Sequence, residues 1–325
     1  MDYRNLGSSS LKISRLGLGA MGIGDPSWRE WVLDEVASRP IVKRSLDLGI
    51  NFIDTCDFYS RGRSEEIVGR LIKELVPRDE IVLATKAGNP MGKGPNARGY
   101  SRKHLFEAVE QSLRRLATDY IDLYQTHIWD VTTNLEEMVD AFDDLVRSGK
   151  VLYLGITDMP AWQLAKAYYD QRHRGLARFV SVQNHYNPIW REDERELIPL
   201  CRTEGVGLIP YSPMARGYLC GRQRRNSAEM TTRARTDDYG QKLYGRSSDE
   251  KVADAVERVA QAHGVLPAQV ALAWTLSRPG VTAPIFGATK TEHVDAAVAA
   301  LELKLEPTEI QAIDSAYEPR AAGGH

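Results

Sequence analysis

INFIDTCDFYSRGRSEEIVG, residues 50–69, holds the unit from which the chain is built. Ile50 to Ile53 is an apolar run, Asp54, Asp57 and Tyr59 follow at the turn, and an amphipathic stretch begins at Ser64. A short apolar run bounded by turn residues reads as a buried strand, and apolar residues at three- and four-residue spacing read as a helix laid back on it. Two carboxylates and a phenol at that junction are costly decoration, since burying a polar group needs a partner.

Working outward, the same unit recurs. Apolar runs occur at LGLGAM (16–21), NFIDTC (51–56), IVLATK (81–86), IDLYQTH (121–127), VLYLGIT (151–157), FVSVQN (179–184), GLIPYSP (207–213) and TAPIFGA (282–288). Most are near-continuously apolar, as parallel strands covered on both faces must be. Between them lie amphipathic stretches such as KHLFEAVEQSLRRLA and LEEMVDAFDDLVRSG, and Gly49 and Gly149 stand where helix C-caps are expected. Eight strand–helix units favour a closed (β/α)8 TIM barrel over an open doubly wound sheet. YRNLGSSSLKISRLGLG predicts an N-terminal β-hairpin around Gly7–Ser10, outside the barrel. A long loop, roughly residues 217 to 248, separates strand 7 from strand 8 and has little periodicity. Loops of that length are usually functional or disordered. No repeat or linker divides residues 1–325, so one domain is expected.

Bulk properties narrow the function. The 325 residues carry 44 acids and 42 bases, a net charge of −2, which argues against a dedicated nucleic-acid binder. The longest apolar runs fall short of the ~20 residues that span a bilayer. MDYRNLGSSS has no apolar signal core, and Cys56, Cys201 and Cys220 form no CxxC pair. A cytoplasmic chain with reduced thiols, no membrane partner and no metal is expected, and a homo-oligomer stays open. Two motifs are decoys. GLGAMG (17–22) fits a dinucleotide fingerprint, but GIGDPSW follows where a helix should open. GRQRR (221–225) lacks the wider basic excess of a nucleic-acid site, so a solvated loop or a cofactor clasp is expected.

In such barrels the working face is the C-terminal end of the strands. There the sequence places Asp54 and Tyr59 after strand two, Lys86 at strand three and His127 at strand four. Alone, each has an ordinary reading: a turn aspartate, a packed tyrosine, a core histidine. Together they have one chemistry. A phenol with a pKa near ~10 is a poor acid until an ammonium lowers that value, and a carboxylate can fix the ammonium in place. Histidine can orient a carbonyl oxygen, so the set suits protonation of a carbonyl while a hydride reaches its carbon.

DTCDFY, ATK at Lys86, DLYQTH at His127, RSGKVLYLGIT (147–157), SVQNHYN (181–187), YSPMARG (211–217), QVALAWTL (269–276) and IFGAT (285–289) together resemble the aldo-keto reductase superfamily. Their spacing is more similar to the bacterial branch related to the potassium-channel β-subunit than to mammalian aldose reductases. The resemblance implies Tyr59 as general acid, Lys86 lowering its pKa, Asp54 pairing with Lys86, and His127 orienting the substrate. It also implies NADPH, with NADH admitted, lying across the rim. Gln183 would meet the nicotinamide amide, Tyr211 its ring, and Ser212, Met214 and Arg216 the pyrophosphate. Thr157–Asp158 stands where relatives often carry Ser-Asn against the carboxamide. Thr289, Lys290 and His293 occupy the positions used for the adenosine 2′-phosphate, and Ala296–Ala297 replaces a Glu-Asn pair often used for adenine. Met21, Trp28 and Trp129 would wall a pocket for a small-molecule carbonyl, whereas Trp31 is expected to pack a loop. Asp130 beside Trp129 would favour polyols or sugars. Two rivals stand beside NADPH-dependent reduction of aldehydes or ketones: a Schiff-base aldolase on Lys86, and an NADPH-binding redox-sensing regulatory subunit with little turnover.

Overall fold

A computed structural model of the chain describes residues 1–221 and 230–320. Most of the run GRQRR therefore lies outside the described residues. Strands β1 (Tyr3–Asn5) and β2 (Lys12–Ser14) pair antiparallel as the expected hairpin. Eight more strands follow: β3 Gly17–Gly19, β4 Phe52–Asp54, β5 Val82–Ala87, β6 Ile121–Thr126, β7 Val151–Thr157, β8 Phe179–Gln183, β9 Gly207–Leu208 and β10 Ile285–Phe286. Each falls on one of the eight apolar runs, β5 running one residue past its run to Ala87. They form a single parallel sheet in the order β10-β3-β4-β5-β6-β7-β8-β9. Parallel bridges Leu208↔Val281 and Tyr211↔Ile285 join its two ends, and the Ile285 amide donates to the Pro210 carbonyl at 2.8 Å. The sheet closes into the (β/α)8 barrel.

Helices α1 (Glu35–Asp47), α2 (Arg63–Leu75), α3 (Arg102–Leu116), α4 (Leu135–Arg147), α5 (Ala161–Arg174) and α6 (Leu197–Glu204) cover it. Their starts follow capping chemistry. Asp34 accepts from the Ala37 amide, Ser101 from His104, and Asn134 from Glu136 and Glu137. At the far ends Gly49 and Gly149 sit just past α1 and α4 with φ of 83° and 75°, the left-handed exit that glycine adopts without steric cost. After β3 the chain enters a 3-10 turn, Ala20–Gly22, so no helix opens at the GLGAMG glycines.

Side chains along a strand alternate between faces. Phe52, Val82, Ala84, Leu123, Ile209, Ala283 and Ile285 point into the barrel and form one cluster. Ile53, Leu83, Tyr124, Leu154 and Val182 point outward and pack with the helices. Two residues beyond the interior cluster, Asp54, Lys86, Gln125 and Gln183 face the same interior, and the filling turns from apolar to polar. Gly155 leaves room for that layer: a Cβ there would meet Ser181 Oγ at 2.6 Å and Gln125 Cγ at 3.0 Å.

The hairpin departs from expectation. It is a separate sheet, yet Leu6 and Ile13 join the interior cluster and close the barrel's N-terminal end. Gly7, at φ 58°, makes this fit. A Cβ there would lie 2.4 Å from the Val180 carbonyl and 2.7 Å from both Gly205 O and Gly207 N. Gly7→Ala is expected to cost about 1–3 kcal/mol from the left-handed backbone alone, more from the clash. Thermal unfolding checks this, and a midpoint equal to that of the native chain would show that the hairpin is not a plug.

The insert also differs from a bare loop. Its described part holds two short helices, Thr232–Thr236 and Asp238–Leu243, started by Thr231 and Asp237 accepting backbone amides. No helix among the described residues is long and apolar enough to cross a membrane.

Candidate active site

The bend that opened the sequence reading delivers its groups to the barrel mouth. Lys86 Nζ lies 2.6 Å from Asp54 Oδ2 and donates at 2.8 Å to the Thr55 carbonyl, with both side chains buried. Asp54 Oδ1 accepts from the amides of Gln125 at 3.1 Å and Gln183 at 2.9 Å. The Lys86 ammonium stands 5.4 Å from the centre of the Tyr59 ring, and Tyr59 meets His127 edge to face at 5.7 Å. All four predicted residues therefore converge.

Their electrostatics differ from expectation at one point. Burial pushes the Tyr59 phenol well above its ordinary value, and Cys56 and Asp54 push the same way, while Arg216 and Arg233 pull it down. The resemblance implies a lowering by Lys86, whereas burial is the largest influence on Tyr59 and its direction is upward. The phenol is held protonated, the form an acid needs. Burial, then the Lys86 charge, lowers His127 to about 3, so its imidazole is neutral at physiological pH. Asn89 Nδ2 contacts His127 Nδ1 at 2.7 Å. The amide is a donor there, so Nδ1 accepts and Nε2 keeps the proton.

Asp57, the second acid of the opening stretch, takes no part in the Lys86–Asp54 pairing, and neither carboxylate oxygen has a hydrogen bond among the described residues. It is buried, and burial followed by Glu65 pushes its carboxyl well above the usual carboxylate range. Its potential donor atoms, with those of Cys56 and His127, lie within 4.8 Å of one another. Behind the strands Glu65 accepts from Thr85 at 2.6 Å and pairs with Arg115 at 2.6 Å, tying α2 and α3 to β5.

The cofactor candidates form an arc along the same rim. Tyr211 stacks on His185 at 5.1 Å and 13°, and His185 stacks on Trp190 at 4.6 Å and 22°. Tyr211 OH donates to Asp158 Oδ2 at 2.8 Å, and the His185 amide donates to Oδ1 at 3.3 Å. Gln183 has its amide nitrogen committed to Asp54. Thr157 is buried, its Oγ1 without a hydrogen bond. Ser212, Ala215 and Arg216 have φ between 48° and 56°, and half-buried Met214 packs on the core below. Ser60, Arg61 and Asp158 are also left-handed, so six of the seven positive-φ non-glycine residues described lie in loops after β4, β7 and β9, the seventh being Ala117. Such strain clusters at functional sites. Thr289 and Lys290 are exposed at the start of helix Thr291–Ala299, where the Thr289 amide donates to His293 Nδ1 at 3.3 Å. Helix N-termini suit phosphate. Ala297 is buried against the core.

On the opposite wall Trp28 lies 6.0 Å from Phe58 and 6.5 Å from Tyr59, while Met21 and Trp129 are half-buried in neighbouring rim loops. Trp31 is 5% exposed and packs the loop, as expected. Asp130 is occupied in its own turn, accepting from the Thr132 amide at 2.9 Å and hydroxyl at 2.7 Å. Sequence reading missed Arg29, Asn89, Arg233 and Asp237. Arg216 and Arg233 both bind Asp237, at 2.7 and 3.2 Å. Arg233 also lies over Trp31 at 4.3 Å, and Arg29 spans Trp28 and Trp31 at 4.4 and 5.6 Å. These pairings bring the insert across the mouth to the first rim loop. Arg216 Nη2 is buried without a hydrogen bond.

Residues 15–318 match the model of the Aldo/keto reductase family. The chain is 41% identical to versiconal hemiacetal acetate reductase of Aspergillus parasiticus, covering 99% of this chain and 98% of that protein. An aldo-keto reductase of Metarhizium robertsii is 40% identical over 100% of this chain and 93% of its own length. Norsolorinic acid reductase B of Dothistroma septosporum is 37% identical over 98% and 82%.

Proposed function

The chain belongs to the aldo/keto reductase family, an oxidoreductase by that membership, and on this premise we propose that it reduces aldehydes or ketones to alcohols with NADPH. The observation that carries the reading is the meeting of a protonated Tyr59, a neutral His127 and the buried Lys86–Asp54 pair at one mouth. Bound nicotinamide would supply the hydride. Tyr59 gives the proton to the carbonyl oxygen, and His127 Nε2–H donates to the same oxygen and fixes its direction. Lys86 stabilises the phenolate left behind, and Asp54 holds Lys86 in place. The reverse oxidation uses the same groups, with the phenolate as base.

Orphaned polar atoms support the cofactor's place. Thr157 Oγ1 and Arg216 Nη2 face no partner. The arc from Thr157 and Asp158 through Gln183, Tyr211, Ser212, Met214 and Arg216 to Thr289, Lys290 and His293 offers amide, ring and phosphate contacts in that order. Met21, Trp28 and Trp129 receive the substrate, and their aromatic surface favours a flat or apolar carbonyl. Of the relatives, two are named as reductases of a hemiacetal acetate and of norsolorinic acid, which supports the same class. The relatives named above are fungal, so likeness to the bacterial branch rests on the motifs alone. A cytosolic, single-domain enzyme completes the reading.

NADPH consumption against a panel of aldehydes, ketones, sugars and quinones tests it. Turnover of at least one carbonyl is expected. NADPH binding without turnover of any would favour a redox-sensing subunit, and borohydride trapping of a substrate on Lys86 without NADPH binding would favour the aldolase.

A further inference from the structure

Asp158 is the one carboxylate on the cofactor arc, and among the described residues nothing cationic pairs with it. It follows β7 in a left-handed conformation, φ 47°, half-buried at the mouth. Its oxygens accept from Tyr211 OH at 2.8 Å and the His185 amide at 3.3 Å, both neutral donors. Among the described residues no lysine, arginine or histidine forms an ion pair with it. The titratable or charged groups facing it are Tyr211 from the end of β9, His185 after β8, Lys86 on β5 and Tyr239 from the insert. Lys86, the cation among them, is committed to Asp54. Burial pushes the Asp158 carboxyl up to about 7, although Tyr211, the His185 amide and Lys86 pull the other way. The surroundings are short of positive charge, and a shielded anion without a counter-ion is costly.

We propose that Asp158 is the counter-charge for the oxidised nicotinamide ring, so that the chain binds NADP+ in preference to NADPH by virtue of this carboxylate. The inference rests on the reading that Tyr211 and Asp158 form the nicotinamide's seat. The oxidised ring carries one positive charge and the reduced ring none. A carboxylate hydrogen-bonded to the hydroxyl of the stacking tyrosine therefore favours the oxidised form. An amide in its place offers the same shape without the charge. Asp158 is thus a specificity-determining residue for the redox state of the cofactor.

Titration of the native chain and of Asp158→Asn with NADP+ and NADPH, followed by tryptophan fluorescence at pH 6 and pH 8, tests this. Both nucleotides carry the same phosphates, so the ratio of their dissociation constants isolates the ring charge. With a carboxyl near 7, the native preference for NADP+ grows about tenfold from pH 6 to pH 8, because the deprotonated fraction grows by that factor. In Asp158→Asn the ratio is flat and lies near the native value at pH 6. Tyr211→Phe keeps the carboxylate but removes a donor, so the midpoint of the ratio moves above that of the native chain. Parallel weakening of both nucleotides in Asp158→Asn, or a pH-dependent ratio that survives in it, overturns the inference. Failure of the native chain to bind either nucleotide overturns the cofactor reading itself and this inference with it.

Discussion

Tyr59→Phe loses carbonyl reduction by about 10²–10⁴-fold, the usual worth of a positioned acid, while NADPH affinity stays unchanged. On the proposed mechanism the hydroxyl is the acid, yet among the described residues it holds no hydrogen bond that the fold requires. Tyr59 packs through its ring, against Trp28 at 6.5 Å and His127 at 5.7 Å. Phenylalanine keeps those contacts, so the loss falls on turnover rather than on stability. Steady-state kinetics and nucleotide titration on the same preparation separate the two effects. A variant that kept most of the native rate would move the proton source elsewhere, with His127 as the neighbour left to supply it.

Lys86→Met is the larger structural perturbation. The ammonium is fully buried at the centre of the polar layer, and among the described residues its partner Asp54 has no other cation at contact distance. Removing it leaves a carboxylate facing only the amides of Gln125 and Gln183. An uncompensated buried charge of this kind costs about 3–5 kcal/mol. The double variant, Asp54→Asn with Lys86→Met, removes both charges and should regain most of that stability without regaining activity. Chemical denaturation of the two single variants and the double one gives the coupling energy. A coupling near zero would mean that Asp54 finds another partner once Lys86 is gone, and the pair would then be a catalytic device with no structural share.

The outline of this protein was legible because two of its rules are local. Continuous apolar runs mark strands covered on both faces, and eight of them in alternation with helices leave few architectures open. The end of each strand is also local, so Asp54, Tyr59, Lys86 and His127 could be placed on one rim from the positions of the runs. Helix ends at Gly49 and Gly149 were legible for the same reason.

What stayed hidden joins residues far apart in the chain. Asn89 fixes the tautomer of His127 across 38 positions, and Gln183 reaches Asp54 across 129. Such contacts depend on the register of neighbouring strands and on where the sheet closes, and neither is written in a run of hydrophobic residues. The insert shows the same limit. Without periodicity it read as loop, but Arg233 meets Arg216 on Asp237 and lies over Trp31 once the barrel sets the two rim loops face to face. Asp158 could be seen as an acid where relatives often have an amide. That no cation among the described residues pairs with it was decided by the fold alone, because Lys86 turns to Asp54.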